Sequence, residues 1–298
     1  TWGTNYAAVV YLDAGQDIKA AINALPAAGG KIVLGAGTFN SSTWTLTNTE
    51  LIVDKANTTI EGSGDATILN KDTATTGTVS YYIIRVAANN VVLRNFCLQT
   101  TTATTDRPDG GIRICDTTNC TAGYSGVVVE GITIDDDDIG GGDGTAADAQ
   151  IYSISATNLK IIKNSLQVGD SYGIYGQNAD YSLVANNYLT RPTSTGATYM
   201  MEFYNSTERT VISNNRIETR GGAQGISLRA ASVSDYPFRN VVANNTIRSL
   251  DGGSGAPTGI NIEGGRYNVI TGNNVSGITN AGTAGIAIVT GNSSGGNF

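Results

Sequence analysis

Val184-Ala185-Asn186-Asn187, a short apolar run closed by asparagine, returns as Ile212-Ser213-Asn214-Asn215 and as Val242-Ala243-Asn244-Asn245. Related runs are Val92-Leu93-Arg94-Asn95, Ile161-Ile162-Lys163-Asn164 and Ile270-Thr271-Gly272-Asn273. From Asn164 onward the closing asparagines are spaced by 23, 28, 30 and 28 residues. A second pattern precedes the closing runs from Asn187 onward, as Gly173-Ile174-Tyr175, Met201-Glu202-Phe203, Gly225-Ile226-Ser227-Leu228 and Gly259-Ile260-Asn261-Ile262, and returns after the last as Gly285-Ile286-Ala287-Ile288. Each unit therefore holds two or three short strands with alternating apolar residues and a polar loop of variable length. A unit of this size cannot bury an apolar face alone, but copies stacked coil on coil can. The expected fold is all-β: a right-handed, single-stranded parallel β-helix. In that arrangement Asn95, Asn164, Asn187, Asn215, Asn245 and Asn273 have a structural task. Stacked at one turn, they adopt the left-handed backbone conformation and hydrogen-bond along the axis as an amide ladder.

Composition excludes several alternatives. The 298 residues include 38 Gly and 5 Pro, with no Gly-X-Y period and no heptad run, so neither collagen nor a coiled coil fits. The 18 basic residues against 25 acidic ones give a net charge of −7, the wrong sign for a general nucleic-acid binder. Histidine is absent, which removes Ser-His-Asp and Cys-His nucleophile systems and His-ligated zinc. No stretch is long and apolar enough to span a membrane. The chain opens Thr1-Trp2 without a signal-like segment and reads as a mature or excerpted chain. Cys115 and Cys120 lie close enough for a small-loop disulfide, the alternative being two thiols; the pairing would favour an oxidising compartment. Cys97 is expected at an inward strand position as a small core residue.

The start of the chain differs from the rest. Asp17-Ile18-Lys19-Ala20-Ala21-Ile22-Asn23-Ala24-Leu25 sets Ile18, Ile22 and Leu25 on one helical face, and Pro26 stops the helix. Gly29-Gly30-Lys31-Ile32-Val33-Leu34-Gly35-Ala36-Gly37-Thr38-Phe39 then reads as strand, turn, strand. A lone amphipathic helix before the first coil suits a lid over an otherwise open core. The run DIKAAINALPAAGGKIVLGAGTFN, followed by TTIEGSG, resembles the N-terminal cap and first coils of the pectate-lyase-like β-helix superfamily. That superfamily includes pectin and alginate lyases, polygalacturonases, C5-epimerases and phage tailspikes. The resemblance implies one domain over 1–298, with a cap at about 13–27 and coils from about 30 onward. Its catalytic motifs transfer poorly. The Gly-His-Gly of polygalacturonases and the Asp-Pro-His-Glu of the epimerases are both ruled out by the lack of histidine. The carboxylate, Lys and Arg residue types of the calcium-dependent lyases remain available.

Aligning the apolar residues leaves two outward columns, Tyr175, Glu202, Ser227, Asn261 and Gln177, Tyr204, Arg229, Glu263. Aromatics beside carboxylates and amides suit sugar rings and hydroxyls, while the bland alternative is an ordinary solvated sheet face. Glu202 and Glu263 fall two coils apart, roughly 9 to 10 Å by strand spacing, at the upper edge of the roughly 6.5–9.5 Å used by inverting glycosidases. In a lyase, Arg229 would neutralise a uronate carboxylate while Tyr175 or Tyr204 serves as base or acid. Ser227, Gln177 and Asn261 would contact substrate.

The run Asp135-Asp136-Asp137-Asp138, followed by Asp143 and Asp148, is a second constellation. Asp135, Asp137, Asp138 and Asp143 would offer hard oxygen ligands to Ca²⁺, or form a solvated acidic loop. Arg107, Arg113, Lys160 and Lys163 lie nearby in coil order and would meet substrate carboxylates or offset these acids. The expected function is recognition of a polysaccharide on the outer face, by an extracellular, cell-surface or virion protein, with lyase or hydrolase activity left open. The rival is a non-catalytic structural or adhesive spacer. Homo-oligomerisation, trimeric in tailspikes by resemblance, is a further expectation.

Overall fold

The computed structural model describes residues 8–45, 50–72, 82–101, 108–116, 120, 122–135, 149–169, 172–192, 199–232, 235–250, 258–278 and 284–289. Their strands form three parallel sheets of ten, nine and nine strands, called here sheets 1, 2 and 3. One coil shows the path. Lys160–Ile162 lies in sheet 1, Ser165–Gln167 in sheet 2 and Tyr172–Gln177 in sheet 3, and Leu183–Ala185 then returns to sheet 1 beside the strand that began the coil. Because each strand pairs with its counterpart one coil later, the chain is a parallel β-helix, with the right-handed turn that parallel crossovers take.

Register follows the apolar pattern. Ile161, Val184, Ile212 and Val242 are successive partners in sheet 1, and all four are fully buried. Ile174, Met201, Ile226 and Ile260 do the same in sheet 3. A one-residue slip would turn every such side chain into solvent, so the inward column fixes the stacking. One continuous core cluster runs from Ile18 to Ile262.

The helix Ile18–Ala24 has Asp17 as its N-cap, accepting from the Ala20 amide. Ile18, Ile22 and Leu25 are buried, and the helix packs on the strand Leu51–Val53. Lys19 fastens it there, donating to the Ile52 carbonyl at 2.9 Å and pairing with Asp54 at 3.0 Å. Sequence spacing did not anticipate the strand Val9–Leu12, which precedes the helix and pairs in parallel with Lys31–Leu34.

The asparagine ladder divides one expected task between two residues. The left-handed backbone belongs to the residue before the ladder position: Asn95, Lys163, Asn186, Asn214 and Asn244 have φ between 55° and 59°, with Gly131 and Gly272 in the same column. The ladder itself is Asn164, Asn187, Asn215, Asn245 and Asn273. Each Nδ2 donates to the next Oδ1 at 2.9 Å from Asn164 to Asn273. Asn95 therefore sits in the left-handed column, and the ladder position after it is the buried Phe96. A shorter ladder at the corner between sheets 3 and 1 joins Asn240 to Asn268 at 3.0 Å. Cys97 also departs from expectation. It is half-buried and points outward, because its neighbour Leu98 fills the inward position.

Candidate functional site on the outer face of sheet 3

Sheet 3 brings the two predicted columns together. Tyr175 pairs with Glu202, Glu202 with Ser227 and Ser227 with Asn261. Two residues further along each strand, Gln177, Tyr204, Arg229 and Glu263 are likewise successive partners. The columns differ in a way that alternation alone could not reveal. Tyr175, Glu202, Ser227 and Asn261 are buried despite facing outward, whereas Gln177, Tyr204, Arg229 and Glu263 remain partly exposed.

Arg229 is the centre of the arrangement. Its guanidinium lies 3.5 Å from Glu202 and 3.4 Å from Glu263, and 5.5 Å from the centre of the Tyr204 ring. The Glu202 side chain is 2% exposed, against 39% for Arg229 and 42% for Glu263. Burial pushes the Glu202 carboxyl above the usual carboxylate range, and the pull of Arg229 only partly offsets it. Burial first, then Glu202 and Tyr199, push the Tyr172 phenol up to about 12. The two glutamates thus converge on one cation rather than standing apart across an open gap.

The tyrosines behave differently from an open sugar platform. Tyr152 stacks on Tyr175 at 5.1 Å and Tyr172 on Tyr199 at 5.7 Å, each pair nearly parallel. Their faces cover one another. Tyr175 donates to Gln177 at 3.3 Å, and burial together with the neighbouring phenols and Glu202 raises its pKa. A phenol held protonated in this way is poorly suited to the role of base. Tyr172 and Tyr199 were missed in the sequence, although they are register partners 27 residues apart, the interval that separates Tyr175 from Glu202.

Further along the same face lies a buried ionic cluster that the repeat pattern did not reveal. Glu50 pairs with Arg85 at 2.9 Å and with Arg113, and it accepts from the Tyr82 amide at 3.0 Å. Burial raises its pKa against the pull of both arginines. Arg113 pairs with Glu50, and Lys163 with Glu130 at 2.8 Å; residues 136–148 of the acidic stretch lie outside the described residues. Of the proposed calcium ligands, Asp135 is exposed just after the strand Thr133–Ile134. Asp137, Asp138 and Asp143, like Arg107, lie outside the described residues. Among the described residues no three Asp, Glu, Cys or His side chains cluster as a metal site. Cys115 and Cys120 form a disulfide with a Cα–Cα distance of 5.0 Å, packed beside Tyr82, Tyr152 and Tyr175. No described helix is long and apolar enough to cross a membrane.

Parallel coils, a helical cap and a polar outer column define a right-handed β-helix protein of the pectate-lyase-like type. Residues 114–298 match the family described as periplasmic copper-binding protein (NosD), and the chain belongs to that family. No curated protein matches the sequence. Among solved structures, the mannuronan C-5 epimerase AlgE6 A-module of Azotobacter vinelandii is similar at 14% identity and a TM-score of 0.53, over 95% of this chain and 96% of that one. The N-terminal fragment of gene product 12 of bacteriophage Phi29 is similar at 15% identity and a TM-score of 0.53, over 86% of this chain and 45% of that one. The alginate lyase AlyGC is similar at 15% identity and a TM-score of 0.51; 95% of this chain aligns with 40% of the lyase. At these identities the likeness establishes the fold.

Proposed function

We propose that the protein binds a polysaccharide along the outer face of sheet 3, with Gln177, Tyr204, Arg229 and Glu263 as the contact column. The observation that carries this reading is the half-exposed Arg229, held between Glu202 and Glu263 over the Tyr204 ring. A guanidinium fixed from behind offers its outer N–H groups in a set direction, and Glu263 adds acceptors for hydroxyls one coil away. Columns along the axis repeat about every 4.8 Å, which suits a polymer lying across the strands. Structural likeness to an epimerase and a lyase of alginate, both polymer-acting by name, supports the same ligand class. The Cys115–Cys120 disulfide favours a location outside the cytoplasm, in keeping with the periplasmic description of the family.

Copper, which the family description names, does not fit the donors of this chain. There is no histidine, both methionines, Met200 and Met201, are fully buried in the core, and two of the three cysteines are joined to each other. Soft or imidazole ligands of the kind copper sites use are therefore not assembled.

One observation favours cleavage in addition to binding: Glu202 is a buried carboxyl with a raised pKa, as a general acid requires, and it shares Arg229 with the half-exposed Glu263. A panel of acidic and neutral polysaccharides tests both readings. Binding is expected for at least one member, and Arg229→Lys, which keeps the charge but loses the planar fork, should weaken it about tenfold or more. New reducing ends that vanish in Glu202→Gln would establish hydrolysis, and unsaturated ends would establish a lyase. Unchanged affinity in Arg229→Lys would remove this column from consideration.

A further inference from the structure

The corner between sheets 3 and 1 carries a second row that the proposed contact column does not use. In successive coils one backbone position is occupied by Asn57, Asn90, Gly126, Asn158, Tyr181, Arg209, Arg239 and Tyr267, the first seven each donating the amide to the next coil. All eight have positive φ, between 52° and 71°. The first four are Asn or Gly, the residues that accept this conformation readily. The last four are bulky, and a left-handed backbone is unfavourable for them. Four consecutive coils thus give up the favourable residue at the same corner, which is the pattern of strain retained for a purpose.

Those four side chains are exposed and form one row. Tyr181 is 51% and Tyr267 55% exposed, and Arg209 and Arg239 are exposed between them. The Arg209 guanidinium lies 5.1 Å from the Tyr181 ring centre, and Arg239 lies 4.7 Å from that of Phe238. Phe238 in turn meets Tyr267 edge-on at 5.5 Å. Arg209 also pairs with Glu208 at 3.1 Å, while Arg239 is held by the Phe238 ring. Two cations between two phenols, about one coil apart, match a carbohydrate polymer bearing regularly spaced anions. The guanidiniums take the carboxylate or sulfate groups, and the ring faces take the sugar. The net charge of −7 disfavours nucleic acid as the ligand, because phosphate binding needs a wider basic surface.

We propose that Tyr181, Arg209, Arg239 and Tyr267 form a binding strip for an acidic polysaccharide at this corner, separate from the Arg229 column. The proposal rests on the reading that the protein binds polysaccharide, and its test is built to fail separately. The wild type, Arg239→Asn, Arg239→Gln and Arg229→Lys are compared for affinity to polygalacturonate, alginate, a sulfated glycan, neutral dextran and single-stranded DNA, and for thermal midpoint. Both Arg239 variants should lose about five- to tenfold in affinity for at least one acidic glycan. Arg239→Asn alone should melt higher, by about 1–3 °C, because asparagine relieves the left-handed strain. A merely structural arginine would give no such combination of weaker binding and greater stability. Unchanged affinity in both Arg239 variants overturns the strip. Loss in Arg229→Lys at the same time would leave the sheet 3 column standing, and loss in the Arg239 variants alone would leave only the corner. Wild-type binding that is absent, equal for dextran, or confined to DNA also overturns the proposal.

Discussion

Glu202 shows at the level of one residue how the fold shapes chemistry. It faces outward from sheet 3, yet flanking tyrosines and Arg229 exclude water from it. Desolvation penalises its charged form, and a single guanidinium at 3.5 Å only partly compensates. The consequence for stability has a definite sign. A carboxyl whose folded pKa exceeds its unfolded value of about 4.3 supports the fold fully below that value, and the support is lost as pH rises through the folded pKa. Glu50 shares this sign, whereas Glu218, held low first by the hydrogen bond from Arg216 and then by that from Tyr188, loses its contribution as pH falls. In Glu202→Gln the first effect disappears and the others remain. The thermal midpoint of the wild type should therefore decline relative to Glu202→Gln as pH is raised from about 4. Parallel profiles would show that Glu202 titrates as an ordinary surface carboxylate.

At the scale of the element, the ladder is the clearest unit. Asn215 is buried, donates to the Val184 carbonyl at 3.0 Å and to Asn245 at 2.9 Å, and accepts from the amide and side chain of Asn187. Replacing it with alanine strands several buried groups at once, at about 1–3 kcal/mol each. Asn215→Ala should accordingly destabilise the protein by about 2–4 kcal/mol in denaturant unfolding. Asn273→Ala, at the half-exposed end of the ladder, should cost markedly less, and equal losses would contradict the ladder account. The ladder was legible in the sequence because its residues are chemically alike and recur at 23, 28, 30 and 28 residues. Tyr181, Arg209, Arg239 and Tyr267 follow Asn158 at those same intervals, six residues ahead of each ladder asparagine, but differ in type. Chemical identity, not spacing, is what hid them. The helix was legible from its apolar face and Pro26, whereas Val9–Leu12 was not, since one strand without a repeat partner in sequence carries no period.

Over the whole molecule, stacking means that each coil touches only its neighbours, so an outward column is a property of the array and can be lengthened or altered one coil at a time. Loop lengths vary between sheets 2 and 3 and after sheet 3, while the path from the corner through sheet 1 to the ladder stays constant. That constancy made the columns of sheet 3 predictable in register. Their burial was not predictable, because it depends on tyrosines stacking across coils, which no period encodes. The buried Glu50, Arg85 and Arg113 cluster escaped notice for the same reason. The proposed function sets a polysaccharide along the axis against Arg229. A crystal structure with an oligosaccharide chosen from the binding panel tests it most directly. Sugar density is expected across the strands of sheet 3 within hydrogen-bonding distance of Arg229 and Glu263; density seated on sheet 1 or sheet 2, with that column untouched, would refute the proposed function.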